Sequence, residues 1–151
     1  MYQKLILLAD DDSDDVEMFC EALANIDSSI ICHSVINGKE LLKKLDALET
    51  VPQLIFLDLN MPIMNGWDCL NQLKEDERYM AIPVIMISTS SHQREMDRAA
   101  KMGALCYFVK PSNYNELTHV LQVIVANLGL GLKDAMHQLH TGESRHVFAC
   151  H

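Results

Sequence analysis

Carboxylate side chains follow two of the short aliphatic runs in this chain, and their spacing points to chemistry. Asp10 and Asp11 come directly after the run at residues 5–9, and Asp58 comes directly after the run at 54–57. Carboxylates that share a confined site repel one another and need a counter-charge. A hard divalent cation with oxygen ligands supplies that charge. The pattern therefore predicts a Mg²⁺ site, provided that the fold brings the two runs together.

A hydroxyl and a lysine follow two later aliphatic runs. Ser88 comes after the run at 84–87, and Lys110, which precedes Pro111, comes after the run at 106–109. Taken alone, Lys110 reads as an ordinary surface lysine. A phosphoryl group, however, needs cationic and hydrogen-bonding partners on several sides. A lysine and a hydroxyl beside the acidic residues would complete a site for such a group.

The elements that must position these residues follow from an alternation of aliphatic runs with apolar residues at helical spacing. The runs predicted to form strands are residues 5–8, 30–32, 54–57, 84–87 and 106–109. Buried runs separated by amphipathic helices are typical of a parallel sheet. We therefore predict an α/β fold, a doubly wound five-stranded parallel sheet with helices on both faces. The carboxyl ends of its strands would meet at one edge, where ligands bind in such sheets.

Composition limits the possible partners. The chain has 151 residues, the size of one domain, and a formal net charge of −9. This charge argues against direct contact with nucleic acids or anionic membranes, and no apolar run approaches the roughly 20 residues that cross a bilayer. The N-terminal aliphatic run is too short and too soon acidic for a signal peptide, which favours a cytoplasmic protein. Five cysteines without Cys-x-x-Cys spacing are interpreted as reduced core residues.

The residues at these strand ends together resemble the receiver domain of bacterial response regulators, over roughly residues 4–127. The likeness is strongest at residues 58–66, DLNMPIMNG, where the Met-Pro-x-Met turn and its glycine match the family pattern. Single-domain receivers of the chemotaxis and phytochrome-partner type are the most similar group. The resemblance implies a flavodoxin-like fold with strand order 2-1-3-4-5. It also implies a role in two-component signal transduction.

The resemblance assigns a role to each acidic residue. Asp58 would be the phosphoacceptor, and its donor would be a sensor histidine kinase or a phosphotransfer protein. Mg²⁺ would be bound directly by Asp11 and through water by Asp10, with Asp58 and the backbone carbonyl of Asn60 as further ligands. Such a protein is a phosphoacceptor switch with its own phosphotransfer and autodephosphorylation chemistry, not an enzyme.

The resemblance also implies how a signal would leave the site. Lys110 would contact the phosphoryl oxygens, and the Lys110-Pro111 peptide bond would be cis, which is uncommon for X-Pro bonds in general. The Ser88 hydroxyl would move toward the phosphoryl group, and Tyr107 would turn into the vacated space. The surface formed by the fourth helix, fifth strand and fifth helix would then change and contact a downstream protein. Tyr107 could instead be a plain core aromatic residue.

Two alternatives stay open at this point. A haloacid-dehalogenase-type phosphatase uses a similar sheet but carries Asp-x-Asp, whereas here Asn60 stands where the second acid would be. A receiver-like interaction module that works without phosphorylation is the other. In addition, Asp12, Asp14 and Asp15 are interpreted as capping residues of the first helix.

The segment after residue 127 is treated separately. Two glycines at residues 129 and 131 predict a break in the helix. We interpret residues 128–151 as a C-terminal extension that is too short to be an independent domain, and residues 1–127 as the receiver domain. The extension, or the surface of the fourth and fifth helices, could support a homodimer.

Overall fold

The computed structural model describes residues 4–142 and 146–149. Strands and helices alternate from residue 4 to residue 126, as the sequence predicts, and a second helix and a short strand follow. Their bounds are β1 Lys4–Ala9, α1 Ser13–Ile26, β2 Ile30–Val35, α2 Gly38–Ala47, β3 Leu54–Asp58, α3 Gly66–Glu75, β4 Val84–Ser88, α4 Gln93–Lys101, β5 Cys106–Val109, α5 Tyr114–Ala126, α6 Leu132–Thr141 and β6 Val147–Ala149.

The strands form one sheet in the order β2-β1-β3-β4-β5-β6. The first five are parallel, so the predicted order 2-1-3-4-5 is confirmed. The expectation of five strands is corrected to six, because β6 pairs antiparallel with β5. Its three residues are too few to give the periodic pattern by which the longer strands were predicted. Pairing with β6 covers an edge of β5 that would otherwise be open.

The sheet has a hydrophobic core on each face. Helices α2, α3 and α4 pack against one face, and α1, α5 and α6 pack against the other. Strands β3 and β4 are buried along their whole length, whereas β2, at the edge, is partly exposed. These two faces confirm the prediction of a doubly wound flavodoxin-like fold.

Side-chain caps start several helices close to the carboxyl edge of the parallel strands. Asp12 accepts hydrogen bonds from the backbone N–H groups of Asp14 and Asp15 at the start of α1, as expected of an N-cap. Asn37, Asn65 and Asn113 cap α2, α3 and α5 in the same way. Each cap fixes the direction in which the chain leaves the preceding loop.

The C-terminal extension packs onto the sheet. Helix α5 ends at Ala126 and α6 begins at Leu132, so the predicted break is present. Met136 is fully buried and Val147 is 1% exposed, in the same core cluster as residues of α1 and α5. A division of the chain at residue 127 stays a prediction. Among the described residues, no helix combines the length and apolarity needed to span a bilayer.

Candidate functional site

The sheet brings Asp10, Asp11 and Asp58 together at the carboxyl ends of β1 and β3. One ligand oxygen from each lies within 4.8 Å of the others. Asp10 is 1% exposed and Asp58 is 7% exposed, whereas Asp11 faces solvent. The cluster therefore consists of two buried carboxylates, those of Asp10 and Asp58, and one exposed carboxylate, that of Asp11.

Lys110 points into this acidic cluster from the end of β5. Its Nζ lies 2.8 Å from Asp10 Oδ2 and 3.5 Å from Asp58 Oδ2, and its side chain is 9% exposed. The predicted convergence of strand ends from three parts of the chain is thus present. Burial by itself would lower the pKa of Lys110, but its hydrogen bonds to carboxylates outweigh that effect and hold the pKa above its usual value.

The peptide bond between Lys110 and Pro111 is trans, so the prediction of a cis bond was wrong. An X-Pro bond prefers trans by about 0.5–1 kcal/mol unless the surrounding structure requires the other isomer. Here Lys110 reaches both carboxylates from a trans backbone. Its N–H also donates to the Ser88 carbonyl at 2.8 Å, and that bond keeps the end of β5 in register with β4.

Burial has a large effect on Asp58. Removal from water and the neighbouring Asp10 carboxyl raise the pKa of Asp58 to about 7, and Lys110 only partly opposes this. A carboxylate that is this costly to ionise gains a great deal from any added positive charge. Asp58 is therefore suited to a site that a divalent cation completes.

Asp15 also contacts Lys110, although the sequence analysis predicted only a capping role for it. Its Oδ2 lies 2.8 Å from Lys110 Nζ, closer than the oxygen of Asp58. No local pattern marks this contact, because Asp15 lies in the first turn of α1, where an acidic residue is also expected for capping. Asp12 and Asp14 do act only at the helix start, as the sequence predicts.

Ser88 and Tyr107 lie next to one another in the hydrogen-bond network beside the cluster. Ser88 is 3% exposed, and its Oγ accepts a hydrogen bond from the Ser90 N–H at 3.0 Å. Tyr107 is fully buried, and its hydroxyl donates to the Ser90 carbonyl at 2.8 Å. Burial raises the pKa of Tyr107 above its usual value. Ser90 thus links the two predicted switch residues, whose roles stay predictions.

Asn60 lies in the loop directly after β3. Asn60 is exposed, and its backbone N–H donates to Asp58 Oδ1 at 3.4 Å. The predicted use of its backbone carbonyl as a metal ligand stays a prediction.

The donor set fits a hard divalent cation. Asp10, Asp11 and Asp58 form the cluster and Asp15 pairs with Lys110, so the described residues place four carboxylates at or beside one lysine. One ammonium group leaves most of that negative charge uncompensated, and oxygen-only donors are those that Mg²⁺ and Ca²⁺ prefer. An acidic pocket of this composition is compatible with Mg²⁺.

Comparison with known proteins identifies the family. Residues 6–122 match the response regulator receiver domain. Chemotaxis protein CheY1 of Helicobacter pylori is 39% identical over 89 residues, which make up 59% of this chain and 71% of that protein. Response regulator Rcp1 of Synechocystis sp. is 29% identical over 129 residues, covering 80% of this chain and 86% of that protein.

Solved structures agree with the sequence comparisons. The phosphorylated cyanobacterial phytochrome response regulator RcpA superposes with a TM-score of 0.75 at 30% identity, over 82% of this chain and 91% of that one. The Mn²⁺-bound form of Rcp1 superposes with a TM-score of 0.71 at 27% identity, over 82% of this chain and 92% of that one. The chain therefore belongs to the receiver domain family of two-component response regulators.

Proposed function

We propose that Asp58 accepts a phosphoryl group, with Mg²⁺ as cofactor. Receiver domains are phosphorylated by histidine kinases and pass the signal to partner proteins. The observation that carries the assignment to Asp58 is its position at the buried end of β3, with Asp10 and Asp11 beside it and Lys110 Nζ 3.5 Å away. The donor would be a sensor histidine kinase or a phosphotransfer protein.

Asp10, Asp11, Asp58 and the backbone carbonyl of Asn60 would hold the cation. Bound Mg²⁺ would neutralise the carboxylates and the charge on the transferred group. The Mn²⁺-bound form of Rcp1 is a relative's structure with a divalent cation, which supports a cation of this kind in the present site.

Asp58 would act as the nucleophile. One of its oxygens would attack phosphorus in line, and the bond from phosphorus to the donor's imidazole nitrogen would break. Lys110 would stabilise negative charge on the phosphoryl oxygens. Water would later hydrolyse the acyl phosphate and reset the switch. This autodephosphorylation makes the protein a switch with its own chemistry and not an enzyme that turns over an external substrate.

The signal would leave through the surface formed by α4, β5 and α5. Ser88 would turn toward the phosphoryl group, and Tyr107 would repack around it in a shift between two states. Because β6 lies beside β5, a downstream protein that binds this surface would also meet the C-terminal extension. A location in the cytoplasm is part of this proposal, since the chain belongs to the receiver domain family of two-component response regulators.

A homodimer through the α4 to α5 surface, or through residues 129–151, is a further proposal. Static light scattering of the full chain, with and without a beryllofluoride mimic of the phosphoryl group, tests it. A mass that stays at one chain in both states over a wide concentration range would rule the dimer out.

The alternatives are weaker on specific grounds. A haloacid-dehalogenase-type phosphatase would need an acid at Asn60 to serve the leaving group, and the matched relatives are response regulators. An interaction module independent of phosphorylation has no need for a buried lysine among carboxylates, which is costly to maintain without a function.

Mass spectrometry tests the proposed phosphorylation directly. We expect the wild-type chain, incubated with acetyl phosphate and Mg²⁺, to gain one phosphoryl mass, and Asp58→Ala to gain none. Asp14→Ala is a matched control, because Asp14 is exposed and belongs only to the first turn of α1. A wild-type protein that never gains the mass, or an Asp58→Ala variant that still does, would contradict the assignment.

A further inference from the structure

Two cysteines outside the acidic cluster lie against one another. Cys20 is on α1 and Cys32 is on the edge strand β2, and their Sγ atoms are 3.2 Å apart. Both are free thiols and both are partly exposed. By contrast, Cys69 and Cys106 are 0% and 1% exposed. Small reagents can therefore reach the thiols of Cys20 and Cys32, whereas burial keeps them from Cys69 and Cys106.

We propose that Cys20 and Cys32 form a modification site, a dithiol that hydroperoxides oxidise to an intramolecular disulfide. This inference is independent of phosphorylation, since neither cysteine contacts the acidic cluster.

The geometry suits a crosslink. A disulfide bond is about 2.0 Å long, so the two sulfur atoms need to approach by only about 1 Å from their 3.2 Å separation. The two residues are 12 positions apart, on elements that already pack against each other. Small rotations of the two side chains can supply the approach without unpairing β2 from β1.

The two thiols are not equivalent, which gives each a distinct role. A hydrogen bond with Cys32 lowers the pKa of Cys20 to about 7. The same contact, together with burial, raises the pKa of Cys32 far above its usual value. The thiolate is the nucleophile in reactions with peroxide. Cys20 is thus the attacking residue, and Cys32 keeps its proton until the second step.

The reaction balances with one equivalent of hydroperoxide. The Cys20 thiolate attacks one peroxide oxygen and the O–O bond breaks, which leaves Cys20 as a sulfenic acid. The leaving oxygen takes a proton and forms water, or an alcohol where the oxidant is an organic hydroperoxide. The Cys32 sulfur then attacks the Cys20 sulfur, the S–O bond breaks, and the hydroxyl leaves as water with the Cys32 proton. The two thiols lose two electrons, and the peroxide gains them.

The crosslink would fasten α1 to the edge of the sheet. Strand β2 is bound to the sheet on one side only, through β1, so its local opening depends on what packs over it. A covalent bond to α1 would suppress that opening for residues 20–32. Dithiothreitol would reverse the change.

The test treats the reduced full-length chain with hydrogen peroxide, in a Cys150→Ser background that prevents crosslinks through residue 150. We expect the intact mass to fall by two hydrogens. Digestion without reductant should yield one linked peptide containing Cys20 and Cys32. Amide hydrogen exchange of residues 20–32 should slow at least severalfold in the oxidised protein and return to its original rate after reduction.

Single substitutions separate the roles of the two thiols. Cys32→Ser should stop the reaction at a Cys20 sulfenic acid, which dimedone traps, and Cys20→Ser should give neither the linked peptide nor that adduct. Cys69→Ser is the matched control and should still form the disulfide. The inference fails if the oxidised Cys150→Ser chain yields no peptide that links Cys20 to Cys32. It also fails if Cys20→Ser still loses two hydrogens. The linked peptide from the Cys150→Ser chain decides the matter even if a further variant does not fold.

Discussion

At the scale of single residues, charge imbalance is the main property of the site. Within the described part of the chain, Lys110 is the one cation that contacts the buried carboxylates of Asp10 and Asp58. Buried charges without full compensation cost stability, and this cost is lowered by protonation or by a bound cation. Stability, proton binding and cation binding are therefore linked at this site.

The first prediction concerns the pH dependence of stability without a divalent cation. The pKa of Asp58 is about 7 in the folded chain and 3.8 in its unperturbed state. Because the folded state holds this proton more tightly, the contribution of Asp58 to stability is fully present below about pH 4. It is lost as pH rises toward about 7. In EDTA, we expect the free energy of unfolding of the wild type to fall over this window more steeply than that of Asp58→Asn.

Urea denaturation at several pH values measures both slopes. Saturating Mg²⁺ should restore the stability of the wild type at pH 7 and have much less effect on Asp58→Asn. Parallel pH profiles for the two proteins in EDTA would show that Asp58 ionises normally in the folded chain.

The second prediction concerns Asp15, which holds Lys110 Nζ at 2.8 Å while Asp58 is at 3.5 Å. Lys110 must leave this partner to approach a phosphoryl group on Asp58. Weakening a half-buried ion pair by about 1 kcal/mol corresponds to roughly fivefold in rate. We expect Asp15→Asn to speed phosphorylation by acetyl phosphate by about that factor.

Asp14→Asn is the control for this experiment. It removes the same charge at the neighbouring position, where the side chain is exposed and does not contact Lys110. Stopped-flow fluorescence of Trp67, which lies at the start of α3, can follow both variants. Equal rates for the two variants would mean that Asp15 acts only through overall charge.

Most residues of this site were predictable from the sequence because they lie at strand ends. Asp10, Asp58 and Lys110 each follow an aliphatic run, and parallel strands place such positions at one edge. Asp15 was missed because an acid in the first turn of a helix has a sufficient local explanation in capping. Its pairing with Lys110 depends on how α1 is oriented over β5, which no local pattern encodes. The isomer of the Lys110-Pro111 bond is likewise decided by tertiary context.

At the scale of elements, the contact between β3 and α3 determines the shape of the loop that carries Asn60. Gly66, the first residue of α3, lies against the end of β3, and its N–H donates to the Leu59 carbonyl at 3.0 Å. A Cβ at this position would overlap the backbone carbonyl oxygen of Asp58. The absence of a side chain at residue 66 therefore allows α3 to begin directly against the end of β3.

The third prediction follows from that contact. We expect Gly66→Ala to destabilise the fold by about 1–3 kcal/mol, as overpacked sites do, and to slow phosphorylation of Asp58 because the loop must move. Gly38→Ala is the matched control at the start of α2. There a Cβ would meet side-chain atoms, Cys69 Cβ at 2.8 Å and Met64 Cγ at 2.9 Å.

Chemical denaturation and the acetyl phosphate assay distinguish the two variants. Gly38→Ala should lose stability but keep the phosphorylation rate under conditions where it is folded. If Gly66→Ala phosphorylates at the wild-type rate, the close approach of α3 is not needed to shape the site.

The elements themselves were largely predictable from sequence. Each of the five parallel strands contains a run of apolar residues. Asn37, Asn65 and Asn113 mark helix starts by the side-chain oxygen that each offers to the backbone. Strand β6 has only three residues and follows a polar segment, so its pairing depends on the edge that β5 presents. That edge exists only after the sheet has formed.

At the scale of the whole molecule, the C-terminal extension is part of the hydrophobic core. Met136 is fully buried among residues of α1 and α5, whereas Leu130, in the turn before α6, is 87% exposed. The sequence pattern of this segment is polar and broken by glycines, and it gave little indication of such packing.

The fourth prediction tests that packing. We expect Met136→Ala to lower the free energy of unfolding by about 2–5 kcal/mol, the usual range for truncation of a buried side chain. The unfolding of the variant should remain a single transition that moves to lower denaturant concentration. Leu130→Ala, in the same segment, should change stability by less than about 0.5 kcal/mol. A Met136→Ala protein as stable as Leu130→Ala would indicate that the receiver domain folds without the extension, as a division at residue 127 implies.

The antiparallel direction of β6 decides where labels can be attached. Ala149 pairs with Cys106 at the start of β5. Residue 149 therefore lies at the edge of the sheet where the parallel strands begin, opposite to the edge that carries Asp58. Lys4, the first residue of β1, is on that same side. A fluorophore attached at residue 4 or residue 149 would therefore lie at the edge of the sheet opposite to the acidic cluster. Binding measurements could use either position without covering the cluster.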